Sequence, residues 1–588
     1  MFERYYQTEL SYLRQAGREF AAQHPALAGM LAEPGADPDV ERLLEGFAFV
    51  AAGLKQRIDE SYPELIEGLS ELLFPHIVRT TPACTIIELR NTVRTARGRL
   101  RIAAGSRVLS RPVRGSPCTF VTSRAVEVLP LRLIASRVDE SSQSSPLLTV
   151  DLEVERGAGA AVFSELPLRF HLAGESALTS QLHLWLSRHL RGVSLVCDES
   201  VIELPARAVR TVGFADDDAL FPWPSFSPHG ARILLEYFTL PGKFMFFDVY
   251  GLERAASIAP ARFKLVFRFA APPPLLARMP DDTLRLHCVP ACNVFHADAD
   301  PIKLSHDQRP VLLRAAGLDP SAMEVFSVET VTGATKNGQR RTYAPFHSFR
   351  HARQGPAREG LYTLSRRRSP VDDGMHTHIA VQRPETSAGA RHVVEDEVLS
   401  IQMLCTNRSL VCDLQHGEIS VATPDIASGI VLSNIGPVSP PTRPSLGSAV
   451  PWNLLSHLGC SRRSLSDASV LKSLLSHYCA QDPQPFARAT EGALQPPRSR
   501  NNLARIEAIR TVRSSTVTRT LSGSAASGSR YLVELEQSAF VSIGDAFMFG
   551  LVLHALLDNS AQVNTFADLS VVLLPSALTF RYDAELAR

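Results

Sequence analysis

Along the first 75 residues, apolar side chains return at three- and four-residue steps with polar ones between them. Tyr6, Leu10, Leu13, Gly17 and Phe20 line one face of a first helix at that spacing. His24-Pro25 closes it, because the residue before a proline avoids the α region. The stretch "EPGADPD" (33–39) predicts a turn, after which Leu43, Phe47, Val50, Leu54 and Ile58 draw a second apolar stripe. Ser61-Tyr62-Pro63-Glu64 has the composition of a capping box with proline early in the first turn. It predicts a third helix carrying Leu65, Leu69 and Leu72 and stopping at Pro75. Three helices in so short a span make a small bundle, or a helical hairpin with an extra arm.

From about residue 82 the period becomes two. "LLTVDLEV" (147–154) sets Leu148, Val150, Leu152 and Val154 on one face and Thr149, Asp151 and Glu153 on the other. "LPLRFHL" (166–172) repeats the alternation, and "TIIEL" (85–89), "AVEVLPLRLIA" (125–135) and "VSLVCDESVIEL" (193–204) read as strands beside it. "QLHLWLSRHL" (181–190) predicts one short helix among them. Further strands follow at "RFKLVFRF" (262–269), "DTLRLHCV" (282–289) and "MEVFSVETV" (323–331). Residues 332–375 and 383–395 are polar and arginine-rich, which predicts loops. "GPVSPPTRPSLGS" (436–448) predicts a linker, "LKSLLSHY" (471–478) a helix, and 481–500 and 514–530 mobile loops. The last unit opens with the strand "YLVELEQ", continues as the helix "DAFMFGLVLHALLDNSAQ" and closes with "DLSVVLLP". The predicted fold class is α+β: an N-terminal helical bundle, β-rich antiparallel domains and a small C-terminal α/β unit. The expected divisions are 1–80, 81–210, 211–410 and 411–588.

"GARILLEYFTLPGKFMFFDVYGL" (230–252) concentrates four Phe and two Tyr. Helix "ARILLEYF" (231–238) would turn Ile233, Leu234 and Phe238 inward; Pro241-Gly242 would turn the chain, and "KFMFFDVYG" would run as a buried strand. Arg232, Glu236 and Lys243 interrupt the apolar run, so a core corner is expected rather than an exposed patch.

Composition narrows the function. The 588 residues carry 61 basic and 60 acidic side chains, net charge +1, which gives no electrostatic case for nucleic acid or an anionic membrane. Nine cysteines without framework spacing read as reduced thiols of a cytosolic protein. The N-terminus "MFERYYQTELSYLRQ" has no apolar signal core. The longest apolar runs, "FMFF" (244–247) and "AFMFGLVL" (546–553), fall far short of a bilayer span. Such a span takes roughly 20 apolar residues, so no direct membrane insertion is expected.

No chemistry emerges either. "HCVPACNVFH" groups His287, Cys288, Cys292 and His296, but zinc sites keep two separated ligand pairs, and a strand would splay these side chains. "GATKNGQR" (333–340) has the two glycines of a phosphate loop but Gln339 and Arg340 where Lys and Ser/Thr must follow. No nucleophile elbow, HExxH or GxGxxG sequence occurs. The runs "GQRR" (338–341) and "SRRRSP" (365–370) lack interleaved aromatics for base stacking. No catalytic, cofactor-binding or metal-binding residue is assigned, and a scaffold is favoured over an enzyme.

The head then carries a resemblance. "RYYQTELSYLRQAGREFAAQHPALAGML" and "DPDVERLLEGFAFVAAGLKQRIDESYPELIEGLSELLFPHIVRTTPA" are similar to the N-terminus of the TssF family (older labels ImpG and VasA). The pattern continues at "AAGSRV" (103–108), "GSPCTFVT" (115–122), "FPWPSFSPHGARILLEYFTLPGKFMFFDVYGL" (221–252), "CNVFHADADPIKL" (292–304), "LCTNRSL" (404–410), "WNLLSHL" (452–458) and "FMFGLVLHALLDNSAQVNTFADL" (547–569). It weakens over 332–400 and 436–530. The resemblance implies a non-enzymatic, cytoplasmic baseplate subunit of a type VI secretion system, assembled at the inner face of the membrane through partners. It implies a wedge of two copies with one TssG, onto which TssK and TssE dock around a hub and spike. A wedge protein of a contractile phage tail, and a β-rich ligand- or carbohydrate-binding module, are the competing readings. Against the module, Trp stands only at 185, 223 and 452.

At the head, Phe2, Tyr5, Tyr6, Leu10, Leu13 and Phe20 offer more apolar surface than a lone helix hides. Leu43, Phe47, Val50 and Leu54 of the second stripe cover it within the chain, or both stripes join a bundle shared with TssG and a second copy.

Overall fold

The computed structural model describes residues 2–23, 37–92, 98–140, 145–197, 200–224, 227–275, 277–304, 309–346, 360–369, 374–382, 397–444, 464–479, 497–521, 524–559 and 565–582. Its main helices are α1 (Phe2–Gln23), α2 (Pro38–Leu73), α3 (Ser176–Leu184), α4 (His229–Thr239), α5 (Ala468–Cys479), α6 (Pro497–Glu507) and α7 (Ile543–Asn559). Between them lie several sheets, nearly all antiparallel, so the chain is of mixed α+β class.

α2 corrects the sequence reading. Asp37, in extended conformation, accepts from the Asp39 and Val40 N–H groups at 3.0 and 3.4 Å, and Pro38 takes the first helical position. From there one 36-residue helix runs through Ser61-Tyr62-Pro63-Glu64, where a new start was expected. A proline removes a single i→i−4 bond, and strong helix formers on both sides carry the helix past it.

A five-stranded sheet (Ser200–Pro205, Leu190–Cys197, Arg262–Phe269, Leu147–Val154, Leu131–Asp139) faces a four-stranded one (Val209–Val212, Phe246–Val249, Leu168–Leu172, Leu284–Leu286). Phe170 stacks on Phe247 at 5.2 Å within the smaller sheet, and Phe247 meets Phe267 of the larger edge-on at 6.0 Å. α4 and Phe244, Phe246 and Phe247 are buried, as the core-corner reading expects. α7 closes this core from the other side. A side chain at Gly544 would meet the Ser180 carbonyl of α3, so only glycine permits the approach.

A six-stranded sheet is assembled from distant stretches, in the order Ile419–Ala422, Arg107–Ser110, Thr119–Thr122, Cys288–Cys292, Cys84–Asn91 and Ile430–Asn434. The "DTLRLHCV" segment is therefore two strands in two sheets. His287 turns between them at φ 55° and accepts the Leu129 N–H at 3.1 Å. "AVEVLPLRLIA" likewise divides into Val126–Val128 and Leu131–Asp139, whereas the predicted helix 181–190 is present, α-helical to Leu184 and widening into a π-helix over Trp185–His189.

The polar stretch 332–375 is largely strand where it is described, 347–359 and 370–373 lying outside the described residues. Glu324–Thr335, Arg340–Pro345, Gly360–Arg368 and Met375–Gln382 lie side by side in an eight-stranded sheet. Met375, Thr377 and Ile379 point inward while His376 and His378 are half-buried, so the alternation is present but written in Thr, Arg and His. Residues 383–396 lie outside the described residues. The 514–530 stretch is a hairpin too, pairing Ile509–Leu521 with Ser524–Glu536. Of the predicted 481–500 loop, 481–496 lies outside the described residues, and α6 begins at Pro497. The predicted linker is anchored where it is described: Ser439 Oγ accepts the Cys84 N–H at 2.8 Å, and Thr442 bridges to Thr81.

Candidate interaction surface

α1 and α2 pack as an antiparallel pair around small residues. Leu10 is buried against a face of α2 that carries Ala48 and Ala52, both without exposure. Arg14 pairs with Glu41, and Lys55 with Glu9 at 2.6 Å, bracketing the contact. Alanines let the two backbones approach, and burying one Leu stabilises by roughly 1.5–3 kcal/mol.

The second stripe points elsewhere. Leu43 (74% exposed), Phe47 (63%), Val50 (58%) and Leu54 (58%) all face solvent. At roughly 100° per residue these four fall within about 60° of one another, while Ala48 and Ala52 lie about 140–180° away. The covering of α1 by this stripe is therefore corrected: the alanine face covers α1, and the large side chains are left over. Tyr6 and Leu13 are half-buried, and Phe20 is exposed. The side chains of Phe2, Tyr5 and Ile58 lie outside the described residues. Tyr12 and Phe49, unnoticed in the sequence, are also exposed. The 4-3-4 spacing of Leu43, Phe47, Val50 and Leu54 was visible; that it faced away from α1 was not.

Beneath the aromatic corner lies an ionic cluster built on the charges that interrupt its apolar run. Lys243 Nζ donates to Glu236 Oε2, and both residues are fully buried. Glu236 Oε1 accepts the Leu220 N–H at 2.7 Å and Arg232 Nη1 at 3.4 Å. Burial pulls the Lys243 ammonium below the usual lysine range, with Glu236 opposing it. Arg124 donates to Asp218 at 2.8 Å and lies over the Phe246 ring; burial and neighbouring Arg169 bring it down to about 10. Arg169 grips Asp248 with two bonds of 2.6 and 2.7 Å. Every charge here has a partner, which makes the cluster a structural knot.

The metal candidates are dispersed. Cys288 and Cys292 are buried in one strand, with burial driving both thiols up, Cys292 to about 12. His287 is turned to the Leu129 backbone and pushed down to about 4 by burial, and His296 is exposed beside Glu329 at 3.0 Å. Among the described residues no three His, Cys, Asp or Glu side chains are grouped to hold a metal ion.

The family model described as "Type VI secretion system, TssF" matches residues 1–582. The chain belongs to the TssF family. It is 28% identical to the type VI secretion system component TssF1 of Pseudomonas aeruginosa (strain PAO1), over 96% of this chain and 95% of that protein. Its structure is similar to a chain of the TssK-TssF-TssG baseplate subcomplex solved by cryo-electron microscopy. The TM-score is 0.76 at 28% identity, over 93% of this chain and 99% of that one. A chain of the baseplate complex from the type VI secretion system matches at TM-score 0.59 and 26% identity, covering 100% and 99%. For a TssF, the surface that calls for explanation is thus the apolar stripe of α2. Among the described residues no helix is long and apolar enough to cross a membrane.

Proposed function

We propose that this TssF is a structural wedge subunit of a type VI secretion baseplate that joins TssG and TssK, with the α1–α2 arm as its docking element for TssG. Leu43, Phe47, Val50 and Leu54, exposed on the face of α2 turned from α1, carry this reading. Contiguous large apolar side chains on a surface mark a contact awaiting a partner. Phe2, Tyr5, Tyr6, Leu13 and Phe20 extend the same arm, whereas Leu10 holds the arm together. A second copy of the chain, TssE and the hub and spike complete the platform in this reading. The chain acts in the cytoplasm, contacts neither nucleic acid nor lipid directly, and catalyses nothing.

The test is co-expression with TssG, with complex mass read by light scattering. Two copies of this chain with one TssG are expected, and Leu43→Asp with Phe47→Asp should abolish the complex while circular dichroism stays unchanged. A double variant that co-purifies with TssG at wild-type yield removes the arm from the interface. Failure of the wild-type chain to bind TssG at all removes the wedge reading.

A further inference from the structure

Among the described residues the arm meets the body at one short joint, where residues 71–80 converge with two strands of the eight-stranded sheet, with Trp223 and with Tyr478. Glu71, in the last turn of α2, accepts from Arg79 at 2.8 and 2.5 Å and from Arg366 at 2.8 Å. Arg366 is a buried residue of the strand Gly360–Arg368 in the eight-stranded sheet. Arg79 also lies over the Phe326 ring of that sheet, 5.4 Å from its centre. One turn on, His76 is sandwiched between Trp223 at 5.3 Å and Tyr478 at 5.1 Å, with interplanar angles of 19° and 20°. Thr80 then donates to the buried carboxylate of Glu324 at 2.5 Å.

These contacts divide by kind. The stacked rings and the Thr80 bond belong to the segment after the helix, and they hold the chain where it enters the body. Among the described residues, Glu71 is the residue of α2 itself that pairs with the sheet, through Arg366, two residues back from the helix end. A pivot fixed at a single point leaves a long rod free to swing, whereas a second fixed point further along sets its direction. α2 is about 54 Å long at 1.5 Å per residue, so a small angular freedom at its base becomes a large displacement at Leu43. Burial alone would push the Glu71 carboxyl up, but Arg366 and Arg79 outweigh it and bring it to about 2. The pairing is thus fully ionic at neutral pH.

We propose that Glu71 and Arg366 form a latch that sets the angle of the helical arm on the body, so that the apolar stripe at its far end is presented to its partner in one direction. Both are positioning residues. The consequence for assembly rests on the arm being the TssG-docking element; the latch itself does not.

The experiment uses the full chain, spin-labelled at Gln15→Cys on α1 and Val201→Cys on the body, in a background with Cys412 and the other accessible cysteines replaced. Pulsed electron-electron resonance then reads the arm-to-body distance distribution. Glu71→Gln and Arg366→Met should each broaden that distribution at least twofold, with helix content by circular dichroism unchanged. Arg366→Lys, which keeps the charge, should remain close to wild type. Distributions as narrow as wild type in both Glu71→Gln and Arg366→Met overturn the latch, and the Arg366 variant alone decides if Glu71→Gln fails to fold. TssG binding of the same variants, in unlabelled form, separates the two ideas. A broadened distribution with at least a fivefold loss of TssG affinity supports latch and docking arm together. A broadened distribution with unchanged affinity keeps the latch and removes the arm from the TssG interface.

Discussion

Lys243 lies out of reach of water with its ammonium on Glu236, and the two form the sharpest single-residue test of the core. Removing one member of a buried ion pair leaves the other charge unsolvated, at a cost of about 3–5 kcal/mol. Lys243→Met should therefore lower the midpoint of urea unfolding far more than a surface Lys→Met change such as Lys303→Met does. The paired change Glu236→Leu with Lys243→Met should recover much of the loss, and the double-mutant cycle measures how much. A strictly additive double variant would show that the two residues are not coupled. This cluster was illegible in the sequence for a physical reason: a charge at helical or strand spacing reads as solvent-facing until a partner from elsewhere in the chain is known. Glu236 is satisfied by Lys243, Arg232 and the Leu220 backbone together, and no local pattern announces that convergence. Two glycines of α2 ask the opposite question. Among the described residues, and apart from the helix's own backbone and the adjoining residues, no atom lies within 4 Å of where a Cβ would stand at Gly46 or Gly53. Each glycine costs a helix interior about 1 kcal/mol relative to alanine, with no contact among the described residues to explain it. Gly46→Ala with Gly53→Ala should raise hydrogen-exchange protection of α2 in the free chain and weaken binding to TssG, where a close-packed partner needs the space. Protection that does not rise, or affinity that does not fall, breaks that account.

At the scale of elements, α1 and α2 illustrate how far periodicity carries and where it stops. Both apolar stripes were correctly read as helical, yet which face of α2 met α1 was decided by Ala48 and Ala52, residues too small to weigh in an apolar count. Ala52→Leu should push α1 away; overpacking of this kind costs about 1–3 kcal/mol. The expected result is earlier loss of helical signal on heating, with the β signal unmoved, whereas Leu54→Ala two positions on should leave the free chain nearly unchanged. Equal effects from the two substitutions would show that the faces are not distinct. The strands were legible wherever one face was aliphatic, as in Leu147–Val154 and Arg262–Phe269. They disappeared where the inward residues were Gly, Tyr or Arg, as in Gly360–Arg368, whose Arg366 is inward because Glu71 receives it. The 514–530 hairpin was hidden in the same way, since its Ser, Thr and Gly residues resemble a flexible loop when the neighbouring strand Thr565–Leu574 is out of view.

At the scale of the molecule, the pieces are joined by contacts remote in sequence, and their strength follows from charge and from strand order. The Glu71 carboxyl falls from an ordinary 4.5 to about 2, so its contribution is complete above 4.5 and disappears as pH falls through about 2. Arg79 and Arg366 face it as fixed cations, and Tyr362 nearby is pushed up to about 12 by burial, so Glu71 is the group of this set that titrates in acid. The arm-to-body distance distribution should stay narrow down to pH 4.5 and broaden only as pH approaches 2, while Glu71→Gln is broad throughout. A wild-type distribution that broadens between pH 7 and 5 would assign the joint to another group.

The six-stranded sheet sets a further requirement on the chain. Its strand Cys84–Asn91 pairs on one side with Cys288–Cys292 and on the other with Ile430–Asn434, and Ile419 and Leu432 bury their side chains in the same core. A chain ending at residue 410 would keep the first partner and lose the second, opening the inner strand to water along a row of unpaired N–H and C=O groups. An uncovered edge of this kind invites pairing with other chains. The fragment 1–410 should therefore collect in aggregates and bind a hydrophobic dye. Supplying residues 411–588 in the same cell should return a soluble two-piece complex, because strand pairing and side-chain burial do not require the covalent link. A soluble, monomeric 1–410 with sharp, well-dispersed amide resonances would mean that the sheet closes without its last strands, and that the long-range pairing adds to the fold without being needed to form it.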